Sequence, residues 1–337
     1  MNLITGATGH IGNVLVRELV KRGEPVRAFV LAGEDLGSIK DLDVEVIYGN
    51  VLDKESLKRA FIGVDVVFHL AGLISISAGQ EDLIHKVNVE GTCNVIEAAM
   101  AAGVKRFIYT SSIHAFKRIP HGTVVDETVP IDPQANLAAY DKSKAEATLL
   151  ILEKVKEGLP AVIACPTGVI GPYDYQKSEL GELFNEWMLK KVNFGVTGSY
   201  DFVDVRDVAE GLILARDKGT VGQLYILSGH LIRVADLWKL TKELLSYKSI
   251  YINIPRHLAN VAAWFAQIFY NLTKTKAKFT KYSIETLNSN ADISNLKARH
   301  DLGYSTRFLK VTLSDTLDWW RKNRGFLEKK SKKRGVD

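Results

Sequence analysis

Three glycines in Thr5-Gly-Ala-Thr-Gly-His-Ile-Gly12 constrain this chain more than any other feature. Directly ahead stand Leu3 and Ile4, an apolar opening that reads as a first strand. Directly behind runs a helical pattern with apolar residues at Val14, Leu15, Leu19 and Val20. Strand, glycine-rich turn and helix in that order read as a dinucleotide-phosphate loop. Gly6, Gly9 and Gly12 would serve the tight turn, the backbone's approach to a pyrophosphate, and close packing of helix on strand. The helix then points its N-terminal N–H groups and the positive end of its dipole at the anion. Ordinary tight turns also use such glycines, so the rest of the chain has to decide.

From residue 23 onward strands and helices alternate. Val26–Leu31, Val44–Tyr48, Val64–Leu70 and Arg106–Tyr109 are short β-branched or aromatic runs, separated by helical patterns at Lys54–Phe61 and Leu83–Ala102. This order predicts an α/β fold, a Rossmann-type doubly wound parallel sheet with helices on both faces. Ligands of such sheets bind beyond the carboxyl ends of the strands. One cleft would therefore collect Gly6, Thr8, Gly9, His10, Ile11 and Gly12 with Leu31, Asn50, Val51, Leu70, Ala71 and Gly72 as cofactor contacts. Ser111 and Ser112 end the next strand, and strand alternation lets only one of them face the cleft.

Tyr140-Asp-Lys-Ser-Lys144 opens the following helix, and the four-residue spacing puts Tyr140 and Lys144 on one helix face. A cation so close is expected to pull the phenol down from its usual value of about 10. A tyrosine tuned in this way can exchange a proton with an alcohol or carbonyl while a nicotinamide carries the hydride. Taken alone, the same pair also reads as a core tyrosine and a surface lysine; its place after a phosphate loop and a Thr-Ser-Ser strand end favours chemistry.

Composition excludes several classes. At 337 residues, 46% hydrophobic and 25% charged, the chain has the profile of a globular protein of one large or two ordinary domains. It opens almost inside its first strand, with no basic and apolar leader, so a cytoplasmic location is expected. Cys93 and Cys165 lack metal-ligand spacing and read as reduced thiols, and no metal is expected. Much of the net charge of +5 sits in Lys329, Lys330, Lys332, Lys333 and Arg334, read as a solvated tail rather than a nucleic-acid or membrane contact.

The sequence resembles the extended short-chain dehydrogenase/reductases, also called the NAD-dependent epimerase/dehydratase family, from residue 1 to about residue 325. The resemblance is carried by Thr5–Gly12, His69-Leu-Ala-Gly72, Asn88-Val-Glu-Gly91, Tyr109-Thr-Ser-Ser112, Tyr140–Lys144, Pro166-Thr-Gly-Val-Ile-Gly-Pro172 and Asp201-Phe-Val-Asp-Val-Arg-Asp-Val-Ala209. It implies that Ser112 holds the substrate oxygen, that Tyr140 is the acid/base, and that Lys144 holds the nicotinamide ribose and tunes Tyr140. Pro166 and Val169 would lie near the nicotinamide, and Asn88 would steady the helix behind the site or simply cap it. Dehydratases of the family carry an acidic pair just after the serine, where this chain has Ile113 and His114. Nucleotide-sugar epimerases tend to carry an Asn around the Pro166 segment and a basic residue ahead of the Asp-Phe-Val run, where this chain has Cys165-Pro166-Thr167 and Tyr200. What remains resembles the dihydroflavonol-4-reductase-like branch.

The resemblance and patterning together predict a dinucleotide-binding domain over residues 1–165, with 203–227 returning to it, a mixed α/β substrate lobe over 166–202 and 228–325, and a basic disordered tail over 326–337. Helices are expected at Gln176–Lys191, Asp207–Asp217, Val234–Leu245 and Thr312–Asn323, and a last strand at Leu224–Leu227. The apolar run Leu258–Leu272 is too short for a membrane span of about 20 residues and reads as a lobe helix or cleft wall, with an interfacial membrane contact as the lesser reading.

The function expected is NAD(P)-dependent reduction of the carbonyl of a small aldehyde or ketone, or oxidation of the matching alcohol. Nucleotide-sugar epimerisation is the alternative. Tyr173, Tyr175, Phe184, Trp187, Phe194 and Tyr200 suggest an apolar cleft, though aromatics at helical spacing often serve the core. No carboxylate follows the second strand at Val30-Leu31, while Ser38 and Lys40 are near, so the cofactor is NADP or NAD with a lean to NADP. A homodimer through Leu83–Ala102 and Tyr140–Lys156 is expected, with no nucleic-acid partner and no stable membrane insertion.

Overall fold

The computed structural model describes residues 1–74, 79–120, 122–134, 138–246, 249–255 and 292–334. Leu258–Leu272 therefore lies outside the described residues. Strands β1 (Asn2–Thr5), β2 (Val26–Val30), β3 (Glu45–Tyr48), β4 (Val66–His69), β5 (Arg106–Thr110) and β6 (Ala161–Pro166) join β10 (Leu224–Leu227) in a seven-stranded sheet of order β10-β6-β5-β4-β1-β2-β3. Every neighbouring pair is parallel. Strand order reverses at β1, which places the topological switch point, where ligands of such sheets bind, between β1 and β4.

Alternation along these strands divides the core in two. Ile4, Ala28, Val30, Phe68, Ile108, Val162 and Tyr225 face one side, where helices α1 (His10–Lys21) and α7 (Val205–Lys218) pack. Leu3, Phe29, Val67, Phe107, Tyr109 and Ile163 face the other. There α2 (Lys54–Ala60), α4 (Gly91–Ala102) and α5 (Ala139–Lys156) cover the sheet. α4 continues a short helix, α3 (Glu81–His85), through a π-helical stretch at Lys86–Glu90. Both faces of the inner strands are thus buried, which is why they read as nearly continuous apolar runs, while the edge strand β3 stays partly exposed.

The second half adds β7 (Gly168–Ile170), β9 (Ser199–Asp204) and β11 (His230–Arg233) in one small sheet, and β8 (Val192–Val196) with β12 (Ile250–Ile254) in another. Helices α6 (Glu179–Leu189), α8 (Val234–Leu245) and α9 (Leu309–Arg334) surround a further core of Phe184, Trp187, Phe202, Leu237, Trp238 and Leu313. α9 runs on through Lys329–Arg334, where the sequence pattern predicts a disordered tail. Among the described residues no helix is long and apolar enough to cross a membrane.

The Asp-Phe-Val-Asp-Val-Arg-Asp run joins the two halves. Asp204 caps α7, pairs with Arg206 at 2.6 Å and accepts from Thr312 at 2.8 Å, while Asp207 binds Arg307. Asp201 accepts from Thr167 and from the backbone of Gly229. All three carboxylates are almost wholly buried. Their partners offset the cost of burying a charge.

Candidate active site

The glycine loop has the shape of an anion cradle. Gly6 takes φ +69°, and a Cβ on Gly12 would stand 2.0 Å from the Gly6 carbonyl oxygen, so the helix can approach this turn only without side chains. Gly9 precedes the first turn of α1, whose N-terminus opens above the ends of β1 and β4. Thr8 is buried and Ile11 packs on the core, so these two shape the loop. His10 turns aside to bond the Pro172 carbonyl at 2.9 Å. Asn13 bonds the Tyr173 carbonyl at 3.1 Å, and Arg17 lies 4.7 Å over the Tyr173 ring. The segment after β7 is thereby clasped to the loop.

At the other strand ends the expected contacts divide. Leu31 is exposed beyond β2, Asn50 caps its own turn by accepting from Leu52, and Val51 is buried under α4. Leu70, Ala71 and Gly72 follow β4, the Ala71 N–H bonded to Thr5 and Gly72 lying beside Asn88 and Lys144. Pro166 ends β6, and Val169 is half-buried in β7.

Glu34, which the sequence pattern does not single out, changes the cofactor argument. It accepts from the Thr8 hydroxyl and from the Leu31 N–H, so a carboxylate does stand at the end of the second strand, against the glycine loop. The lean to NADP rests on its absence and loses that support. A glutamate about 20 residues after the loop is the available signal.

Ser112, Tyr140 and Lys144 come together from β5 and α5. Ser111 is directed away, to Thr148 at 2.7 Å, as strand alternation requires of one of the two serines. The Ser112 hydroxyl lies near enough to the Tyr140 phenol to favour its charged form, and its Oγ accepts from the His114 N–H at 3.2 Å. Lys144 donates to the Thr110 carbonyl at 2.8 Å and stands 4.9 Å over the Tyr109 ring. An ammonium has three donors, so donors remain for ribose hydroxyls. Asn88 is buried, bonding Leu73 through both its N–H and its carbonyl and Ser143 at 2.9 Å, so it fixes the first turn of α5 rather than a helix surface.

Electrostatics here run against the expectation for Tyr140. Burial pushes its phenol up to about 12 against the lowering effect of the neighbouring Ser112 hydroxyl. Burial likewise brings Lys144 down to about 8. Both charged forms are disfavoured by loss of water around them, Lys144 being buried and Tyr140 half-buried. His69, bridged between Thr5 at 2.7 Å and Thr92 at 2.9 Å, is held down to about 3 by burial first and by Lys144 second.

Of the six aromatics read as cleft candidates, Phe184 and Trp187 are core, Phe194 is exposed on β8, and Tyr173 and Tyr175 pack on Trp319. Tyr200 alone of the six joins the site, bonded to His114 at 2.8 Å.

Residues 3–220 match the 3-beta hydroxysteroid dehydrogenase/isomerase family. The chain belongs to this family. The family lies within the extended short-chain dehydrogenase/reductases, and the chain is an NAD(P)-binding enzyme of that superfamily with dihydroflavonol-reductase-like relatives. It is 31% identical over 321 residues to sterol demethylase protein B of Methylococcus capsulatus, covering 95% of this chain and 98% of that one. It is 27% identical over 336 residues to a putative dihydroflavonol 4-reductase of Synechocystis, covering 96% and 95% of the two chains. It is 30% identical over 320 residues to a Stigmatella aurantiaca ketoreductase, named for 4-hydroxy-2-methyl-3-oxo-4-farnesyl-3,4-dihydroquinoline-1-oxide, covering 94% of each chain. The crystal structure of gox2253 superposes with a TM-score of 0.85 at 29% identity, covering 96% of this chain and 98% of that one.

Proposed function

We propose that this dehydrogenase/reductase family member interconverts a secondary alcohol and a ketone on an apolar, sterol-like molecule. The observation that carries the reading is the convergence of the Ser112 hydroxyl and the Tyr140 phenol, with Lys144 buried one helical turn on and donating to the Thr110 carbonyl at 2.8 Å. In this reading the two hydroxyls hold the substrate oxygen, and Tyr140 gives that oxygen its proton in reduction and takes it in oxidation. Lys144 holds the cofactor ribose and meets the negative charge that develops on the tyrosine. A nicotinamide bound along the glycine cradle supplies or removes the hydride. A phenol with its acidity suppressed by burial is protonated at rest, as a proton donor to a carbonyl must be.

Apolar substrate chemistry is supported by the apolar side chains Ile113, Phe116, Ile119, Val125 and Ile293, which line a small cavity reached from the turn after Ser112. It is supported too by relatives whose names specify a sterol and a farnesylated quinoline. Lys117 and Arg118 border the same cavity and keep nucleotide-sugar epimerisation as the second reading, since a diphosphate needs charge-assisted partners. Absorbance at 340 nm with NADH or NADPH and 5α-cholestan-3-one tests the first reading, which predicts cofactor oxidation. Interconversion of UDP-glucose and UDP-galactose without net cofactor change would replace it by the second.

A further inference from the structure

His69 ends β4, and the mechanism proposed above makes no use of its side chain. The imidazole is wholly buried, and strand register sets His69 directly beside Thr5, which ends β1 and opens the glycine turn. Thr92, in the first turn of α4, stands on the other side of the ring. Thr5 and Thr92 are themselves at most 1% exposed. Apolar side chains would fill such a site at no loss of stability, so three polar ones call for a reason other than packing.

The hydrogen bonds here can run in one direction only. Thr92 gives its proton to the Asn88 carbonyl at 2.6 Å, so towards His69 Nε2 its oxygen can only accept. Burial and the Lys144 ammonium keep the imidazole neutral, so Nε2 carries its single proton and Nδ1 accepts from the Thr5 hydroxyl. The Thr5 oxygen in turn accepts the Ala71 N–H at 3.1 Å. Beyond Thr92 the line continues to the catalytic helix. Asn88, in the π-helical stretch ahead of α4, donates to Ser143 Oγ at 2.9 Å, and Ser143 donates to the Tyr140 carbonyl at 2.8 Å. A second path runs through rings. The imidazole lies 5.7 Å from the Tyr109 ring at an angle of 29°, and Lys144 Nζ sits 4.9 Å over that same ring. An imidazole neutral down to a pH of about 3 carries no proton at working pH; what it supplies is a fixed geometry.

We propose that His69 is a positioning residue, which with Thr5 and Thr92 ties the glycine turn to the first turn of α5 so that cofactor and Tyr140 are held by one frame. Its catalytic consequence rests on the ketone reading above. The frame sets Tyr140 and Lys144 at the distance that a nicotinamide seated by the glycine turn requires, and a misplacement of about 1 Å costs about 10²-fold in rate. A histidine that only filled the core would tolerate the loss of a neighbouring hydroxyl with no change in turnover.

The test pairs two substitutions of Thr92 in the full chain. Thr92→Val keeps the shape and deletes the hydroxyl, whereas Thr92→Ser keeps the hydroxyl and deletes a methyl. With NADH and 5α-cholestan-3-one, kcat is expected to fall about tenfold in Thr92→Val and at least as far in His69→Leu, with both KM values within about threefold of wild type. Thr92→Ser should keep kcat within about threefold of wild type. A packing role predicts the opposite order, because serine leaves the larger void. Melting curves verify that each variant is folded at the assay temperature. Hydrogen–deuterium exchange adds a readout that needs no ketone: NADH is expected to protect the first half of α5 in wild type and Thr92→Ser, and to protect it less in Thr92→Val. Equal kcat in the two Thr92 variants, or a serine variant slower than the valine one, overturns this inference and leaves the ketone reading intact. No reduction of the ketone by wild type overturns that reading instead; the exchange measurement then decides, and NADH protection unchanged in Thr92→Val overturns the inference. If His69→Leu fails to fold, the Thr92 pair decides.

Discussion

Thr8 donates its hydroxyl to Glu34, and the other oxygen of the same carboxylate accepts from the Leu31 N–H. A loop residue thereby returns a negative charge to the end of β2, beside the glycine turn. A carboxylate in that position favours two ribose hydroxyls and opposes a 2′-phosphate. NADH is therefore expected to outperform NADPH, and Glu34→Ala should shift the ratio of kcat/KM about tenfold towards NADPH, the equivalent of about 1.4 kcal/mol. Steady-state kinetics with both cofactors check this; an unchanged ratio would remove Glu34 from cofactor choice.

Tyr140→Phe deletes the hydroxyl beside Ser112 and leaves the ring in its half-buried place against His114. Turnover is expected to fall by about 10²–10⁴, with NADH affinity within a few-fold of wild type, because the phenol serves proton transfer. Fluorescence titration of the cofactor beside the 340 nm assay separates the two effects. A variant that keeps more than about a tenth of the activity rules out Tyr140 as the acid/base.

Lys144 couples the site to stability. Folded, its ammonium gives up its proton near pH 8, against 10.5 for the ordinary side chain, because burial penalises the charge. Below pH 8 both states hold the proton and the folded state bears the whole penalty. Between 8 and 10.5 the unfolded chain binds the extra proton, so folded stability rises with pH through that window. Lys144→Met removes the penalty and should melt above wild type at pH 7, by at most ~3 kcal/mol less the lost bond to Thr110. The gap should close as pH rises towards 10.5. Melting curves of both proteins across that range check it; a pH-independent gap would contradict a buried ammonium.

Contacts short in sequence are legible from residue order and spacing: the glycine turn, the i,i+4 pair Tyr140 and Lys144, and the alternation that separates Ser112 from Ser111. The return of Leu224–Leu227 to the sheet edge is legible too, from its apolar run. What escapes depends on chain segments that meet only after folding. Glu34 doubles back across a loop to Thr8, and Asp141 reaches His114 from a different element. The suppressed acidity of Tyr140 comes from partial burial in the folded chain, which spacing does not encode. Phe184, Trp187 and Tyr200 share one apolar cluster, and only the third dimension shows that Tyr200 among them also lines the small cavity with His114.

A homodimer is the expected assembly, through an uncovered face. Leu83, Met100 and Leu149 are 46%, 38% and 40% exposed on α3, α4 and α5, helices that pack on one another at one side of the sheet. Beside Leu149 on α5, Glu146 faces His85 of α3 at 3.5 Å, so polar groups border the apolar ones. Single exposed leucines are ordinary, but three apolar side chains on adjoining helices suit a two-fold helical interface in which each residue meets its symmetry mate. Sedimentation equilibrium at micromolar concentration is expected to give a dimer. Leu149→Arg brings two cations together across the axis and should weaken association at least tenfold while leaving the melting curve of the monomer unaltered. A wild-type monomer at that concentration would show that this face has another occupant or none.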